Sequence, residues 1–130
     1  MPFYKQSEMK ETSLPEQPMG IFKGLPGELL KVGFVTYPKG KISRPHYHPR
    51  EEQFVYILEG RRYLILGEEE KIVGPGDLVH IPRNTVHGGI VLDEKTVLFA
   101  VKSPSGNGKL DQDFVLAENH KEMLSRMADS

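Results

Sequence analysis

Glycine and proline interrupt the middle of this chain at short intervals, and this limits what it can fold into. The 130 residues include 13 Gly and 10 Pro. Between them lie short apolar runs at residues 29–37, 53–58, 63–66, 78–81 and 89–102, the last broken near residue 93. Short runs rich in β-branched and aromatic side chains, bounded by turn residues, are typical of strands. We therefore predict an all-β sandwich or barrel.

The length fits a single domain, which we divide into three parts. Residues 1–20 are a polar N-terminal arm, residues 21–112 the barrel, and residues 113–130 a C-terminal segment with a helix. The arm could add an edge strand, cross to a partner subunit or be loosely ordered. Apolar residues at helical spacing predict an amphipathic helix from about Ala117 to Met127 that covers the barrel.

Composition narrows the function classes. The formal net charge of -1 gives no basic excess for binding nucleic acid or an anionic membrane. No apolar run approaches the roughly 20 residues that span a bilayer, and the N-terminus lacks an apolar core followed by a cleavage site. We therefore expect a cytoplasmic protein. The chain has no cysteine, which leaves imidazoles, carboxylates and amides as metal ligands.

Three histidines carry the most chemical information. His46 and His48 are two residues apart, so on a strand they share a face and point into the same side of a barrel. His87 follows a second predicted strand and a turn that contains Pro82. Three imidazoles converging from two strands predict a site for one divalent metal ion, namely Zn, Fe, Ni, Mn or Cu.

Around these histidines the sequence resembles the two motifs of the cupin superfamily. The first is Gly40-x5-His46-x-His48, followed by a strand that ends at Gly60. The second is Gly76-Asp77-x4-Pro82-x4-His87. The resemblance covers about half the chain and implies a small one-barrel cupin, a double-stranded β-helix of jelly-roll type with a metal site. The order and short separation of the two motifs make the resemblance specific.

The fourth ligand departs from the usual cupin pattern. The family usually places a Glu seven residues before the glycine that closes the strand, and here that position is Gln53. Either Gln53 ligates through its amide oxygen, or a register change brings in Glu52; we favour Gln53. Some cupins do carry Gln here, notably those that open the ring of unsaturated uronates in pectin and alginate breakdown.

A site of three imidazoles and one amide leaves the metal its full double charge. Such a centre is a stronger Lewis acid than one with a carboxylate ligand, and it resists oxidation to the trivalent state. This favours isomerisation, cyclisation or lyase chemistry over oxygen activation. We therefore predict a metalloenzyme for a small oxygenated or carboxylated substrate. The alternatives are a metal-dependent dioxygenase and a non-catalytic module that binds a small ligand.

Three further residues are candidates for catalysis: Lys102, Tyr63 and His80. The uronate-opening cupins have an inward-facing Asp where this chain has Ala100, which argues against their activity. Lys102 shares a face with Ala100 and could pair with a substrate carboxylate, or be a solvated strand end. Tyr63 could donate a proton or be a core residue, and His80 could be a fifth polar group near the metal if it points inward.

Two adjacent arginines and the expected partners are the remaining features predicted from the sequence. Of Arg61 and Arg62, one could face the lumen and bind an anion, although such a pair is usually solvated. The partners we predict are a small-molecule substrate and a second copy of the chain in a homodimer, with no nucleic acid and no membrane.

Overall fold

The computed structural model describes residues 3–14, 17–40, 42–108 and 113–128. These residues form eleven strands and one α-helix after a short 3-10 turn at Gln6–Glu8. The strands are β1 (Thr12–Leu14), β2 (Gln17–Pro26), β3 (Lys31–Pro38), β4 (Ile42–Tyr47), β5 (Glu52–Glu59), β6 (Arg62–Leu66), β7 (Glu69–Val73), β8 (Leu78–Ile81), β9 (His87–Val91), β10 (Lys95–Ser103) and β11 (Val115–Leu116). The helix is α1 (His120–Ala128). The predicted all-β class with a short C-terminal helix is confirmed.

The described strands form two antiparallel sheets that enclose the core. One sheet has the order β1-β2-β3-β10-β5-β8, and the other has the order β11-β4-β9-β6-β7. Inward side chains alternate with outward ones along β3, β5 and β10, as the period of two requires. The apolar core lies between the sheets and includes Phe22, Val35, Val55, Ile57, Leu64, Val79, Ile81, Val91 and Leu98. This arrangement is the double-stranded β-helix expected from the sequence.

Turns lie where the glycine and proline pattern predicted them. Gly60 closes β5 with φ +75, and a Cβ at this position would lie 1.8 Å from the carbonyl oxygen of Lys95. Only glycine tolerates both that conformation and that approach. Gly67 and Glu68 connect β6 to β7, and Asp93 and Glu94 separate β9 from β10. The charged strand β7 carries no alternating apolar pattern, and it was not predicted.

The helix begins three residues later than expected. The backbone N–H of Ala117 donates to the carbonyl of Pro45, which ties this residue to the barrel beside β11. The next residues form a turn, and Asn119 accepts the first helical hydrogen bond from Met123. Met123 packs against Ile65 and covers the outside of the five-stranded sheet.

The N-terminal region lies at an edge of the six-stranded sheet, where β1 pairs with β2 and β2 pairs with β3. Residues 1–2 and 15–16 of the predicted arm, residues 41 and 109–112 of the predicted barrel segment and residues 129–130 of the C-terminal segment lie outside the described residues. The division into arm, barrel and C-terminal segment stays a prediction.

Candidate metal centre

Strands β4 and β9 bring the three histidines of the sequence motifs together. His46 near the end of β4 lies directly opposite His87, the first residue of β9, and His48 follows just beyond β4. The register between β4 and β9 shifts between Ser43 and His46, where the buried Pro45 has no backbone N–H to donate to the neighbouring strand. All three histidines are buried, with at most 6% of each residue exposed.

The three rings form a compact cluster. One ring nitrogen from each of His46, His48 and His87 lies within 4.8 Å of the others. The ring centroids are 4.3 Å apart for His46 and His87, 4.9 Å for His46 and His48, and 5.3 Å for His48 and His87. This group could hold a metal ion.

Backbone carbonyls fix the tautomer of every ring in the cluster. The Nδ1 of His46 is 2.6 Å from the Arg44 carbonyl, that of His48 is 3.0 Å from the Asp113 carbonyl, and that of His87 is 3.0 Å from the Thr85 carbonyl. A carbonyl oxygen only accepts, so each Nδ1 carries the proton and each neutral ring keeps a lone pair on Nε2. Ligating histidines in proteins are oriented in this way.

The electrostatics keep these rings neutral. The pKa of His48 is lowered to about 3, mainly by burial, and the charge of Lys102 contributes to this shift. The pKa of His87 is lowered to about 4, again mainly by burial, with smaller contributions from Lys102 and Arg62. The pKa of His46 is also lowered, first by burial and then by His87. Neutral imidazoles are the form that binds metals.

Gln53 lies beside the histidines, whereas Glu52 points away from them. The amide nitrogen of Gln53 is 3.2 Å from Nε2 of His87, and the residue is buried. Glu52 is exposed, and its carboxylate lies 2.6 Å from Nε2 of His80. Turning the Gln53 amide about its last bond exchanges oxygen and nitrogen, so its oxygen is available at the same reach.

A buried charge cluster flanks the histidines. Nζ of Lys31 lies 2.7 Å from Oε2 of Glu51, and Nζ of Lys102 lies 3.9 Å from Oε1 of the same carboxylate. Lys31 and Lys102 are opposite each other on β3 and β10, and Lys102 also pairs with Gln53 of β5. Two buried ammonium groups therefore lie against one buried carboxylate.

Two residues of the site were missed at the sequence level, Asp113 and Phe114. Asp113 accepts from Nδ1 of His48 through its carbonyl and from the backbone N–H groups of Arg50 and Glu51 through its carboxylate. The Phe114 ring stacks on His46, with centroids 4.3 Å apart. Both come from a polar segment that follows the last long strand, and no motif marks them.

The cavity behind the histidines runs into the barrel and measures ≈ 70 Å³. Its polar lining comprises His46, His48, Gln53, Arg62, His87 and Lys102. Ala100 also lines it, as the sequence predicted for this face of β10. Of the two arginines, Arg62 is the one inside the barrel, whereas Arg61 is exposed and bonded to Asp93.

Two candidate catalytic residues lie away from the cavity. His80 of β8 is exposed, contacts Glu52 and stacks on Phe54 at 4.5 Å between ring centroids. Tyr63 of β6 is half-buried and packs with Ile65 and Met123 under the helix. Lys102 is the one of the three that lines the cavity.

No helix among the described residues is long and apolar enough to cross a membrane.

Comparisons with known proteins agree with this geometry. The cupin domain family matches residues 33–101, about half of the chain. The solved structure of KdgF from Halomonas sp. superposes with a TM-score of 0.73 at 25% identity, covering 80% of this chain and 94% of that one.

Two curated relatives have names that refer to different activities. The pectin degradation protein KdgF of Dickeya dadantii is 33% identical over 70 residues, 54% of this chain and 64% of that protein. Quercetin 2,3-dioxygenase of Bacillus subtilis is 40% identical over 50 residues, 38% of this chain and 15% of that protein. The chain spans less than two thirds of the length of these curated relatives.

Proposed function

The chain belongs to the cupin domain family, and we propose that its barrel binds one divalent metal ion through His46, His48, His87 and Gln53. The observation that carries this proposal is the set of three Nε2 atoms left without protons by their Nδ1 hydrogen bonds. Nε2 of His48 is buried and has no hydrogen-bond partner in the described part of the chain. Leaving a buried polar atom unpaired is costly, and a metal ion would remove that cost.

Gln53 is the better candidate for the fourth ligand. It is buried and within reach of His87, whereas Glu52 is held on the outer surface by His80. Bringing Glu52 inward would need a register change along β5, which pairs regularly with β8 and β10 at this level. The proposed donor set is therefore neutral.

A bound ion would act as a Lewis acid that polarises a substrate oxygen and lowers the pKa of a bound water. The protein residues would then position the substrate. Lys102 lines the cavity and would stabilise negative charge on a substrate oxygen near the histidines. The Glu51 carboxylate that it shares with Lys31 holds the Lys102 ammonium in place. Phe114, stacked on His46, would shield this end from water.

The substrate class follows from the cavity. A space of ≈ 70 Å³ admits a small oxygenated or carboxylated group, and its cationic lining favours an anion. Ala100 offers no acid or base on the lumen side of β10. We therefore propose an isomerase, cyclase or lyase reaction at the metal rather than the opening of an unsaturated uronate.

A second candidate is a metal-dependent dioxygenase, which the similarity to quercetin 2,3-dioxygenase favours. The neutral donor set weighs against it, because no anionic ligand would stabilise a trivalent ion. The third candidate, a non-catalytic module for a small ligand, would keep both the metal and the cavity but show no turnover.

Metal analysis followed by oxygen uptake tests these candidates. The purified chain should take up one equivalent of Zn, Ni, Mn, Fe or Cu after chelator treatment, measured by elemental analysis after desalting. Failure to take up any of these ions would refute the proposal. Oxygen consumption with a screen of small enols and phenols, dependent on Fe, Cu, Mn or Ni, would select the dioxygenase.

The remaining sequence predictions keep that status. A cytoplasmic location, a small-molecule substrate without nucleic acid or membrane partners, and a homodimer are proposals for this chain. The solution mass, measured by light scattering, tests the dimer. Roles for Tyr63 and His80 in catalysis would have to act from outside the cavity, so we rank them below Lys102.

A further inference from the structure

Arg62 is a buried cation whose charge the proposed metal site does not use. Only 7% of the residue is exposed, and its Nε is buried without a hydrogen-bond partner in the described residues. Its neighbour Arg61, by contrast, is exposed and makes hydrogen bonds to Asp93. No aspartate or glutamate of the described segments forms an ion pair with Arg62.

The guanidinium group lies in the same cavity as the histidines, and its charge helps to lower the pKa of His87. Its NH2 lies 2.5 Å from the place that a Cβ on Gly89 would occupy, so the absence of a side chain there makes room for it. Gly89 is two residues from His87 on the same face of β9, and Arg62 lines the same cavity as the histidines. On its other side the guanidinium lies over the Tyr37 ring, 5.7 Å from the centroid.

This arrangement leaves the charge poorly compensated. A cation over an aromatic face gains less on desolvation than the burial of an unpaired charge costs. Burial accordingly lowers the pKa of Arg62, and Tyr37 opposes this only in part. The planar guanidinium fork matches the two oxygens of a carboxylate, and such bidentate pairs are strong where water is excluded.

We propose that Arg62 forms an anion subsite at the inner end of the cavity, which takes the carboxylate group of a small organic acid. The inference extends the proposed function, because a carboxylate held by Arg62 would direct the rest of the acid towards the histidines. The cavity volume of ≈ 70 Å³ suits a carboxylate on a short carbon chain. Lys102 would contact the other end of the same ligand.

Thermal unfolding of the full chain after chelator treatment tests the subsite without relying on the metal. Acetate is the probe, compared with chloride at equal ionic strength and with acetamide, which has the same shape and no charge. At ten times its Kd, acetate should raise the Tm by about 5 °C, whereas chloride and acetamide should not. Phosphate, added separately, distinguishes a carboxylate subsite from a general oxyanion site, and equal stabilisation by phosphate would overturn the carboxylate assignment.

Two variants locate the effect. Arg62→Met should weaken acetate binding about 10- to 100-fold, the usual loss for a hydrogen bond to a charged group. In acetate-free buffer its Tm should equal or exceed that of the native chain, because methionine fills the space without an unpaired charge. The matched Arg61→Met variant should keep the full acetate effect. An acetate effect that survives Arg62→Met, or none in the native chain, would overturn the proposal.

A second measurement remains if Arg62→Met does not fold. The Nε–H signal of Arg62 in the ¹⁵N spectrum of the native chain, identified by its absence from Arg62→Lys, should shift as acetate is titrated. An unchanged signal refutes the subsite. Failures of the two proposals are separable: a chain that binds acetate but no metal refutes the metal centre alone, and one that binds metal but no acetate refutes the subsite alone.

Discussion

Arg61 and Arg62 are neighbours in the chain, yet they lie in opposite environments. The Arg61 side chain is 58% exposed and paired with Asp93, whereas Arg62 lies inside the barrel. Glu51 and Glu52 differ in the same way, with side chains 2% and 52% exposed. So do His87 and His80, one in the histidine cluster and one on the outer surface beside Glu52.

Within each of these three pairs the residue type is the same, and the two residues differ in whether the side chain faces the inside or the outside of the barrel. On the outer wall each group is paired at the solvent-exposed surface, where an ion pair contributes about 0–1 kcal/mol to folding stability. Inside the barrel the same groups are desolvated, so the charge of Arg62 and the lone pair of His87 interact more strongly with a molecule in the cavity that both residues line. Position relative to the wall, rather than residue type, therefore separates the candidate site from the ordinary surface.

The glutamate pair should give the largest contrast. Glu51→Gln removes a carboxylate 2.7 Å from the buried Lys31 ammonium, so we expect the free energy of unfolding to fall by about 3–5 kcal/mol. Glu52→Gln should change it by no more than about 0.5 kcal/mol. Urea denaturation of both variants at pH 7.5 measures the difference. Equal effects would mean that the Lys31–Glu51 pair contributes no more than a surface pair.

Acid should destabilise the lumen wall through its histidines. In the unfolded chain they titrate near pH 6.5, whereas burial lowers the pKa of His48 to about 3 and of His87 to about 4. Between pH 6.5 and 4 the unfolded chain therefore binds protons that the folded chain does not, and stability falls as the pH falls. Each histidine contributes up to about 1.4 kcal/mol per pH unit.

For the chelator-treated chain we expect the three histidines together to lower the free energy of unfolding by about 4 kcal/mol between pH 7.5 and 5.5, measured by urea denaturation. His87→Asn should reduce this loss by about a third, because one titrating group is gone. A pH-independent stability across this range would show that the buried rings take up protons in the folded state.

The histidine pair tests the metal centre. His48→Ala removes a proposed ligand and should weaken metal binding by about 100-fold or more, as should His46→Ala and His87→Ala. His80→Ala, on the outer wall, should leave the affinity within a few fold. Competition with a chromophoric chelator gives both values. Loss of metal in His80→Ala with retention in His87→Ala would reverse the ligand assignment.

The smallest contrast concerns the fourth ligand. Gln53→Glu places an anionic oxygen at the same reach, so we expect metal affinity to rise about tenfold and binding of an anionic ligand to weaken. Glu52→Gln should change neither. Both variants are titrated with the same ion at one pH. A strong loss of metal in Glu52→Gln, with no change in Gln53→Glu, would make Glu52 the ligand.

The sequence was sufficient for the barrel and for the proximity of His46 and His48, because both depend on local spacing, whereas the approach of His87 was predicted from the order of the two motifs. Alternation along β3, β5 and β10 places side chains by a period of two, and the His46-x-His48 spacing uses the same rule. Alternation does not predict which residue faces inward after a turn, because the turn can change which residues point to which face. After the turn at Gly60 the first inward residue depends on how the chain enters β6, so the sequence did not decide between Arg61 and Arg62.

Contacts between segments that are distant in the chain could not be predicted from the sequence either. Asp113 and Phe114 approach His48 and His46 from a part of the chain with no motif, and only the fold brings them there. The burial of Glu51 likewise depends on its contact with Lys31, which belongs to another strand. Pairings of this kind are set by tertiary packing, which local periodicity does not encode.

The hydrogen bond from His48 to the Asp113 carbonyl joins residues that are 65 positions apart in sequence. Contacts of such long range form slowly, because the entropy of closing the intervening chain is lost before the contact stabilises anything. We therefore expect the His48 ring to acquire its orientation late in folding, after the hairpin of β6 and β7 has formed. Metal added during refolding would then stabilise the finished barrel without accelerating its formation.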